Sequence, residues 1–444
     1  MSNETPPETD DTVGPGPRPR LHRAWAVAAV AALAIIAAGA FGTLPGLLMT
    51  PLHREFGWSH GAISVAVWVN MALNGLGAPF AAALMDRFGM RRVVTAALLV
   101  VAAGAGLTTV MTAAWQLTLY WGVLVGLGTG SMALAFAATV ANRWFVRRRG
   151  LVTGLLSAAS VAGQFALLPV LSWIIDNGQW RAGTVTVALT ALAVAPLIWL
   201  LLRDHPADLG QRAYGATAFT PAPAPRPGAL RHAVRVLRGA ARTRTFWLLA
   251  GTFAICGAST NGVMWTHFVP AAHDHGMPPT AAASLLTLIG LFNIAGTAFS
   301  GWLTDRFDPR RLLAAYYGLR GITLVVLPLL LGPEVRTSLV VFVIVFGLLD
   351  VATVPPTIGL SALRGRFGTE DSAIVFGWTL AAHQVGAGLM ALAGGAVRDA
   401  LGSYTAMWVA AGAVCLAATA MALLIPRPTP HRPAPAPISG AVQQ

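Results

Sequence analysis

The chain has 444 residues, of which 55% are hydrophobic and 11% are charged, and its mean hydropathy is +0.65. About a quarter of the residues of a soluble domain are charged, so this composition excludes an ordinary soluble protein. The 30 basic residues are all arginines and, with 17 acids, give a net charge of +13. Because there is no lysine, a GxxxxGK phosphate loop cannot form, which excludes an ATP-driven pump.

Apolar runs dominate the chain from residue 24 to residue 425. Twelve of them approach the roughly 20 residues that a helix needs to cross a bilayer. They cover residues 24–50, 61–85, 93–112, 115–142, 150–175, 182–202, 246–270, 281–303, 312–331, 338–363, 373–397 and 404–425. The pattern predicts an all-α polytopic membrane protein with 12 transmembrane helices in two six-helix halves, residues 24–202 and 246–425.

Three polar segments flank and separate these halves. Residues 1–23 and 426–444 are rich in proline and predict disordered tails. Residues 203–245 form a linker in which PAPAPRP predicts a stiff extended stretch. In the following LRHAVRVLRGAAR, arginines recur at helical spacing opposite apolar residues, which predicts a basic amphipathic helix on the anionic inner leaflet. This helix is either a passive tether or a regulatory element. Its arginines are Arg231, Arg235, Arg238 and Arg242.

A polar loop motif occurs twice. LMDRFGMRR at 84–92 recurs as LTDRFDPRR at 303–311, each between the second and third spans of its half. Most arginines fall on the same side as these loops, and the loops of the other side hold only Arg54, Arg181, Arg336 and Arg398. The positive-inside rule therefore predicts that both termini are cytoplasmic and that the protein is a multi-pass protein of the cell membrane.

This arrangement of six spans, a basic loop, six spans and a repeated motif resembles the major facilitator superfamily, whose loop signature has the form GxLxDRxGRR. Ala82 replaces the first glycine in the first copy, and Asp308 replaces the second glycine in the second copy. The resemblance implies a cytoplasmic gate, in which Asp86 would meet arginines or a helix N-terminus of the facing half. The alternative is a simple positive-inside anchor. The implied gate residues are Asp86, Arg87, Gly89, Arg91, Arg92, Gly301, Asp305, Arg306, Arg310 and Arg311.

Within that superfamily the chain is most similar to the bacterial monocarboxylate and oxalate/formate branch. The similarity lies in REFGWSHGAISVA, ANRWFVRRRGLVTG, THFVPAAHDHG and GWTLAAHQVGAG. Animal monocarboxylate carriers have an aspartate and an arginine four residues apart in span eight, where this chain has Asn293 and Thr297. The GPxxGG pattern of proton-coupled drug exporters is missing from span five.

Two charged residues stand near the middle of predicted spans. A charge there costs roughly 2.5–3.5 kcal/mol and needs a partner or a cavity. We expect Asp350 in span ten to sense protons or to pair with Arg320 of span nine, the alternative being a static ion pair. Pro355 and Pro356 should break span ten and free backbone carbonyls for a substrate.

Other polar residues interrupt apolar spans. His383 of span eleven can bind an anion or carry a proton, or serve only in packing. Neutral amides either orient a polar substrate or tie helices together. His267 is expected to line an entrance at the outer end of span seven. With His383 and His267, the candidates for the substrate or proton pathway are Gln384, Asn293, Gln164, Asn70, Asn74 and Asn261.

Together these features predict a secondary active transporter that moves a small organic solute, a mono- or dicarboxylate, by alternating access. Coupling to protons, the direction of transport and the choice between symport and antiport stay open. The alternative is an exporter of a hydrophobic or zwitterionic metabolite or drug. The two cysteines match no metal-binding spacing, and no hydrolase motif occurs. We therefore expect no enzyme, no cofactor, no metal, no nucleic acid partner and a monomer.

Overall fold

The computed structural model describes residues 22–41, 44–132, 134–177, 179–221, 228–304, 306–361 and 368–426. Most of the predicted tails, Asp305 and residues 222–227 of the proline-rich stretch lie outside this part of the chain. Within it, regular structure consists of helices, and the single β-type contact is a bridge between Phe145 and Tyr214.

Six spans form the first half. Span 1 comprises Arg23–Phe41 and Leu44–Phe56, span 2 is His60–Phe88, and span 3 is Met90–Thr108. Span 4 has four parts, which are Ala114–Leu117, the π-helical Thr118–Val125, Gly126–Gly130 and Leu134–Trp144. Span 5 comprises Arg149–Ala166 and Leu168–Asp176, and span 6 is Trp180–Leu201.

The second half follows a linker that contains a 3₁₀ turn at Pro206–Leu209 and a helix at Ala229–Ala240, here called the linker helix. Span 7 has three parts, which are Arg244–Gly257, the π-helical Ala258–Trp265 and Thr266–Asp274. Span 8 is Pro279–Thr304, span 9 is Pro309–Leu330, and span 10 comprises Thr337–Asp350 and Val354–Ser361. Span 11 is Gly368–Leu401, and span 12 is Thr405–Leu423.

Eleven of these spans contain helices long and apolar enough to cross a membrane. Span 4 differs because a turn at Ser131 and Met132 divides its helical course. Its bounds nevertheless match the apolar run predicted at residues 115–142. The described chain thus has the twelve membrane segments that the sequence indicates.

Close helix packing joins and supports the halves. Spans 2 and 11, spans 5 and 8, and spans 1 and 7 contact each other across the two halves. Small residues permit these approaches, as small residues do in membrane helices generally. Within the first half, a Cβ added to Gly126 of span 4 would lie 2.8 Å from the Asn70 carbonyl oxygen of span 2, and one added to Gly130 would lie 2.7 Å from that of Asn74.

The molecule has two ends, which we call the motif face and the opposite face. The motif face carries the loops after spans 2 and 8, and the opposite face carries the turns after spans 1 and 7. The linker helix lies at the motif face, where it contacts both span 2 and span 11. Its Val236 and Ala240 are buried in a cluster with Trp378, and its buried Ala233 accepts from the Trp378 indole N–H at 3.1 Å. The helix contains three of the four predicted arginines, since Arg242 follows its end, and all four are exposed. Protein rather than lipid therefore covers its apolar stripe.

The glycine contact between spans 4 and 2 gives a test of packing. Gly126→Val should destabilise the protein by about 1–3 kcal/mol because overpacking forces the two backbones apart. Gly106→Val is the matched control, since a Cβ there meets nothing within 4 Å. Thermal unfolding in detergent should show a lower midpoint for Gly126→Val alone. Equal midpoints for the two variants would contradict this packing.

Candidate functional site

A cavity of about 230 Å³ lies between the two halves. Spans 1, 2, 4 and 5 form its wall on one side, and spans 7 and 11 form it on the other. Apolar side chains, including Met71 and Trp265, make up much of its surface. Six of the predicted pathway residues are part of the wall, namely Asn70, Asn74, Gln164, Asn261, His383 and Gln384.

Hydrogen bonds connect these side chains across the halves, with Gln384 at the centre. Gln384 Nε2 donates to Asn74 Oδ1 at 2.8 Å, which joins span 11 to span 2. Gln384 Oε1 accepts from Asn261 Nδ2 at 3.3 Å and lies 3.1 Å from His383 Nδ1. Since Gln384 Oε1 can only accept, His383 Nδ1 carries a proton in this arrangement. The chain of bonds continues from Asn74 Nδ2 to Thr129 Oγ1 at 3.0 Å.

The cavity wall has no formal charge among its described residues unless His383 is protonated. His383 is the only titratable side chain in that wall. Its ring packs against Phe253, with 4.9 Å between the ring centroids, and against the backbone at Gly257 of span 7. The site can therefore offer neutral amide donors and acceptors, one imidazole and an apolar surface. Such a set suits a small, partly polar organic molecule.

Arg320 lies outside this wall, in a fully buried position between spans 7, 9 and 10. Its Nη2 donates to the carbonyl oxygens of Leu349, at 2.6 Å, and of Asp350. Its Nη1 donates to Ser259 Oγ at 3.2 Å and to Cys256 Sγ at 3.4 Å. The guanidinium thus connects the π-helical part of span 7 to the end of the first helix of span 10.

The break in span 10 explains these contacts. Pro355 and Pro356 have no N–H to donate to the carbonyls of Val351 and Ala352, four residues earlier. The first helix of span 10 ends at Asp350, so its last carbonyls, including those of Leu349 and Asp350, also have no helical partner. Arg320 binds the last two carbonyls of Thr337–Asp350, where the helix dipole also favours a cation. Ser300 Oγ donates to the Ala352 carbonyl at 2.5 Å. The freed carbonyls are therefore bound by side chains of spans 8 and 9, where the sequence suggested a substrate.

Asp350 and Asn293 form the rest of this buried cluster. Asn293 Nδ2 donates to Asp350 Oδ2 at 3.0 Å, and the Trp265 indole also interacts with the Asp350 carboxyl group. Asp350, Asn293 and Arg320 are each at most 3% exposed. Asp350 and Arg320 thus lie together as the sequence suggests, but the guanidinium bonds to the backbone oxygen of Asp350. Trp265 lines the cavity and so links it to this cluster, as does His383, which forms a hydrogen bond with Cys256.

His267 is placed near the opposite face, buried and away from the cavity wall. Its Nε2 lies 2.8 Å from the Ala391 carbonyl of span 11, and its ring lies 5.2 Å from that of Tyr404. Burial raises the pKa of Tyr404, which lies between spans 11 and 12. His267 therefore packs inside the end of span 7 in this structure.

Polar contacts join the halves at the opposite face. Asp399 of span 11 accepts from the backbone N–H of His60, at 2.9 Å, and of Gly61, at 2.7 Å. These groups begin span 2, where a helix favours an anion. His60 Nδ1 also lies 3.1 Å from Asp399 Oδ1, and Arg54 contacts His273 at 2.8 Å. Spans 1 and 2 are thereby held to spans 7 and 11 at this end.

The first loop motif forms a network within its own half. Asp86 pairs with Arg143 of span 4 at 2.5 Å, rather than with a group of the facing half as the resemblance implied. Gly89 has φ +87°, a conformation that favours glycine, and a Cβ there would clash with the Asp204 carboxylate. That carboxylate accepts from the Arg91 N–H at 2.8 Å, at the start of span 3.

The remaining arginines of this motif lie at the edge of the network. The Arg91 guanidinium lies over the Trp199 ring and that of Arg87 over Phe88. Arg92 is exposed.

The second motif also makes local contacts. Arg310 pairs with Asp308 at 2.7 Å and donates to the Ile425 carbonyl at 2.9 Å. The hydrogen bond from Arg310 lowers the pKa of Asp308. The Arg306 guanidinium lies 4.0 Å from the centroid of the Trp302 ring, Arg311 is exposed, and Gly301 has open space beside it. Asp305 lies outside the described residues.

Several residues of these sites are not predicted from the sequence. Arg143 and Asp204 lie in a span and a linker far from the motif that they contact, so no local pattern marked them. The basic run ANRWFVRRRG was the only available signal for Arg143. Cys256, Ser259 and Trp265 were indistinguishable from other residues of an apolar helix. The positions of Ser259 and Trp265 follow from the π-helical course of span 7, which the sequence does not indicate.

The fold and site define a multi-pass membrane transporter. The model of the Major Facilitator Superfamily matches residues 29–362 and 260–443, and the chain belongs to that superfamily.

Its relatives include monocarboxylate transporter 13 of Rattus norvegicus, 27% identical over 87% of this chain and 85% of the relative. The gallate transporter of Pseudomonas putida is 26% identical over 86% of this chain and 87% of the relative.

Among solved structures, the xylose transporter XylE from E. coli in a partially occluded inward open conformation matches with a TM-score of 0.68. The identity is 14%, over 91% of this chain and 98% of that chain. The predicted membership, the all-α twelve-helix fold and the expectation of a transporter rather than an enzyme are confirmed. The relatives support transport of small organic solutes, consistent with a cavity that lies inside the membrane region.

The Arg320 contacts predict a strong dependence on the guanidinium. Arg320→Lys keeps the charge but cannot reach both spans 7 and 10, and each lost hydrogen bond to a charged group costs about 1.5–3 kcal/mol. Thermal unfolding should show a clear loss of stability. Arg336→Lys, at an exposed position of the opposite face, should behave like the parent. A stable Arg320→Lys protein would show that Arg320 does not hold these spans together.

Proposed function

We propose that this protein moves a small organic acid, a mono- or dicarboxylate, across the cell membrane by alternating access through the central cavity. One observation supports this above the others: polar groups from both halves converge on a cavity that those halves form together. A volume of about 230 Å³ is below the 300–1,000 Å³ of typical drug sites. It therefore suits a small acid better than a large drug.

Binding in this cavity uses hydrogen bonds rather than a fixed cation. The amides of Asn74, Asn261 and Gln384 can donate to a carboxylate after exchanging the bonds that they make to each other. His383 supplies a positive charge when protonated, and this charge offsets that of a carboxylate bound beside it. Gln164 and Asn70 form the first-half wall that would contact the rest of the solute.

Alternating access would use the contacts at the two faces. The bonds of Asp399 and Arg54 hold the opposite face closed in this state, and releasing them lets the halves rock apart there. At the motif face, the network of Asp86 and Arg143 stiffens the ends of spans 2 and 4. We assign this face to the cytoplasm, with both termini and the linker helix there, and we expect the protein to work as a monomer.

A second candidate is export of a hydrophobic or zwitterionic metabolite. It is favoured by the placement of Arg320, which is fully bound to other helices and leaves the cavity without a permanent cation. The solutes of the two candidate functions differ in charge. A carboxylate requires protonated His383 as its partner, whereas a neutral or zwitterionic solute does not.

Uptake into proteoliposomes separates these candidates. A labelled panel of aliphatic and aromatic mono- and dicarboxylates, assayed with and without an inward proton gradient, should contain at least one solute that enters with the parent. If one proton accompanies each solute, a gradient of one pH unit can concentrate it about tenfold. If no acid of the panel enters or exchanges, the organic-acid proposal fails and the export candidate takes its place.

His383→Gln should raise the concentration needed for half-maximal uptake of the acid at least several-fold, because the cavity then has no group that can become cationic. His275→Gln, which replaces a histidine exposed at the opposite face, is the control and should retain parental uptake. Uptake kinetics over a range of external pH values provide the measurement. Parental kinetics for His383→Gln would remove His383 from the binding site.

A further inference from the structure

Three buried side chains of the Arg320 cluster each leave one polar atom without a hydrogen-bond partner. These atoms are Asp350 Oδ1, Asn293 Oδ1 and Arg320 Nε. All three belong to residues that are at most 3% exposed. Burying a polar atom without a hydrogen-bond partner costs free energy, so three such atoms in residues that contact each other need an explanation.

The two oxygens share one property, since both are acceptors when Asp350 is ionised. Asn293 already donates Nδ2–H to Asp350 Oδ2, which brings the amide and the carboxyl group together along one edge. A single proton on Asp350 Oδ1 would turn that atom into a donor aimed at Asn293 Oδ1. The two groups would then form a cyclic acid–amide pair, and both unpartnered oxygens would be satisfied without any additional atom.

The third atom, Arg320 Nε, is a possible hydrogen-bond partner for the ionised carboxylate. Arg320 Nε carries an N–H, and the Arg320 guanidinium already binds the backbone oxygen of Asp350. A carboxylate that loses its proton loses one bond to Asn293 and gains a charged donor at Arg320 Nε. Such a movement would act on the broken part of span 10 and, through Trp265, on the cavity wall.

Resting on the transport function proposed above, we propose that Asp350 is the proton-binding site, protonated and paired with Asn293 in this state and bound to Arg320 Nε after the proton leaves. The charged and titratable groups around it are Arg320 of span 9, His383 of span 11 and, beyond Arg320, Cys256 of span 7. A metal cation between the two oxygens is disfavoured because the guanidinium charge is adjacent.

Infrared difference spectroscopy on the full-length protein in liposomes tests the proton directly. The parent should show the carbonyl stretch of a protonated carboxylic acid that disappears as pH rises, and Asp350→Asn should lack it. Asn293→Leu keeps the acid but removes its partner, so the band should move to the higher frequency of a free acid. Asp176→Asn, exposed at the opposite face, should leave the band unchanged. Absence of a titrating band in the parent, or its persistence in Asp350→Asn, would overturn the proposal.

Transport assays separate this proposal from the one on which it rests. In Asp350→Asn, the added amide can donate to Asn293 as the protonated acid does, so labelled solute should still exchange across the membrane while proton-driven accumulation is lost. Parental accumulation in this variant would overturn the assignment of Asp350 and leave the transport proposal standing.

If no solute of the panel exchanges in the parent, the transport proposal fails, and the infrared result still decides the protonation. Accumulation that requires Na⁺, and is lost when choline replaces it, would assign the oxygens to a cation and overturn the proposal.

Discussion

Hydrocarbon offers no water to a polar group, so the backbone N–H and C=O groups of a membrane helix need partners within the protein. The contact of Arg320 with the end of the first helix of span 10 shows this constraint most clearly. Two prolines interrupt span 10, and the guanidinium binds the carbonyl oxygens that the interruption exposes. The same group reaches span 7 through Cys256 and Ser259. A break that would be unfavourable in lipid is thereby held in a defined geometry.

The same constraint separates two polar regions with different properties. The cavity wall has neutral amides that bond to each other across the halves, so its contacts can be exchanged for contacts with a solute at little cost. The Arg320 cluster is charged, lies within the second half and contacts the cavity wall through Trp265 and His383. Solute binding and charge are thus placed in adjacent but distinct sites. This differs from a site in which one arginine binds the substrate directly.

The sequence predicted the architecture well because span length, arginine placement and the repeated loop motif are local signals. It also selected most polar residues of the cavity, since an amide inside an apolar helix is conspicuous. It could not separate Asn74, which faces the cavity, from Asn293, which lies in the buried cluster, because rotation of a helix about its axis is set by packing. Nor could it show that Asp86 pairs with Arg143, a contact between residues of different spans. The π-helical course of span 7 has no sequence signature either.

Distance measurement between the two halves tests alternating access around this cavity most directly. One pair of spin labels would replace Asp176 and Glu334 at the opposite face, and a second pair would replace Phe88 and Phe307 at the motif face. All four positions are exposed. The labelled protein would have its two native cysteines changed to serine. On changing pH or adding a transported acid, the opposite-face distance should lengthen while the motif-face distance shortens. Distances that stay constant under all conditions, or that change in the same direction at both faces, would contradict the account.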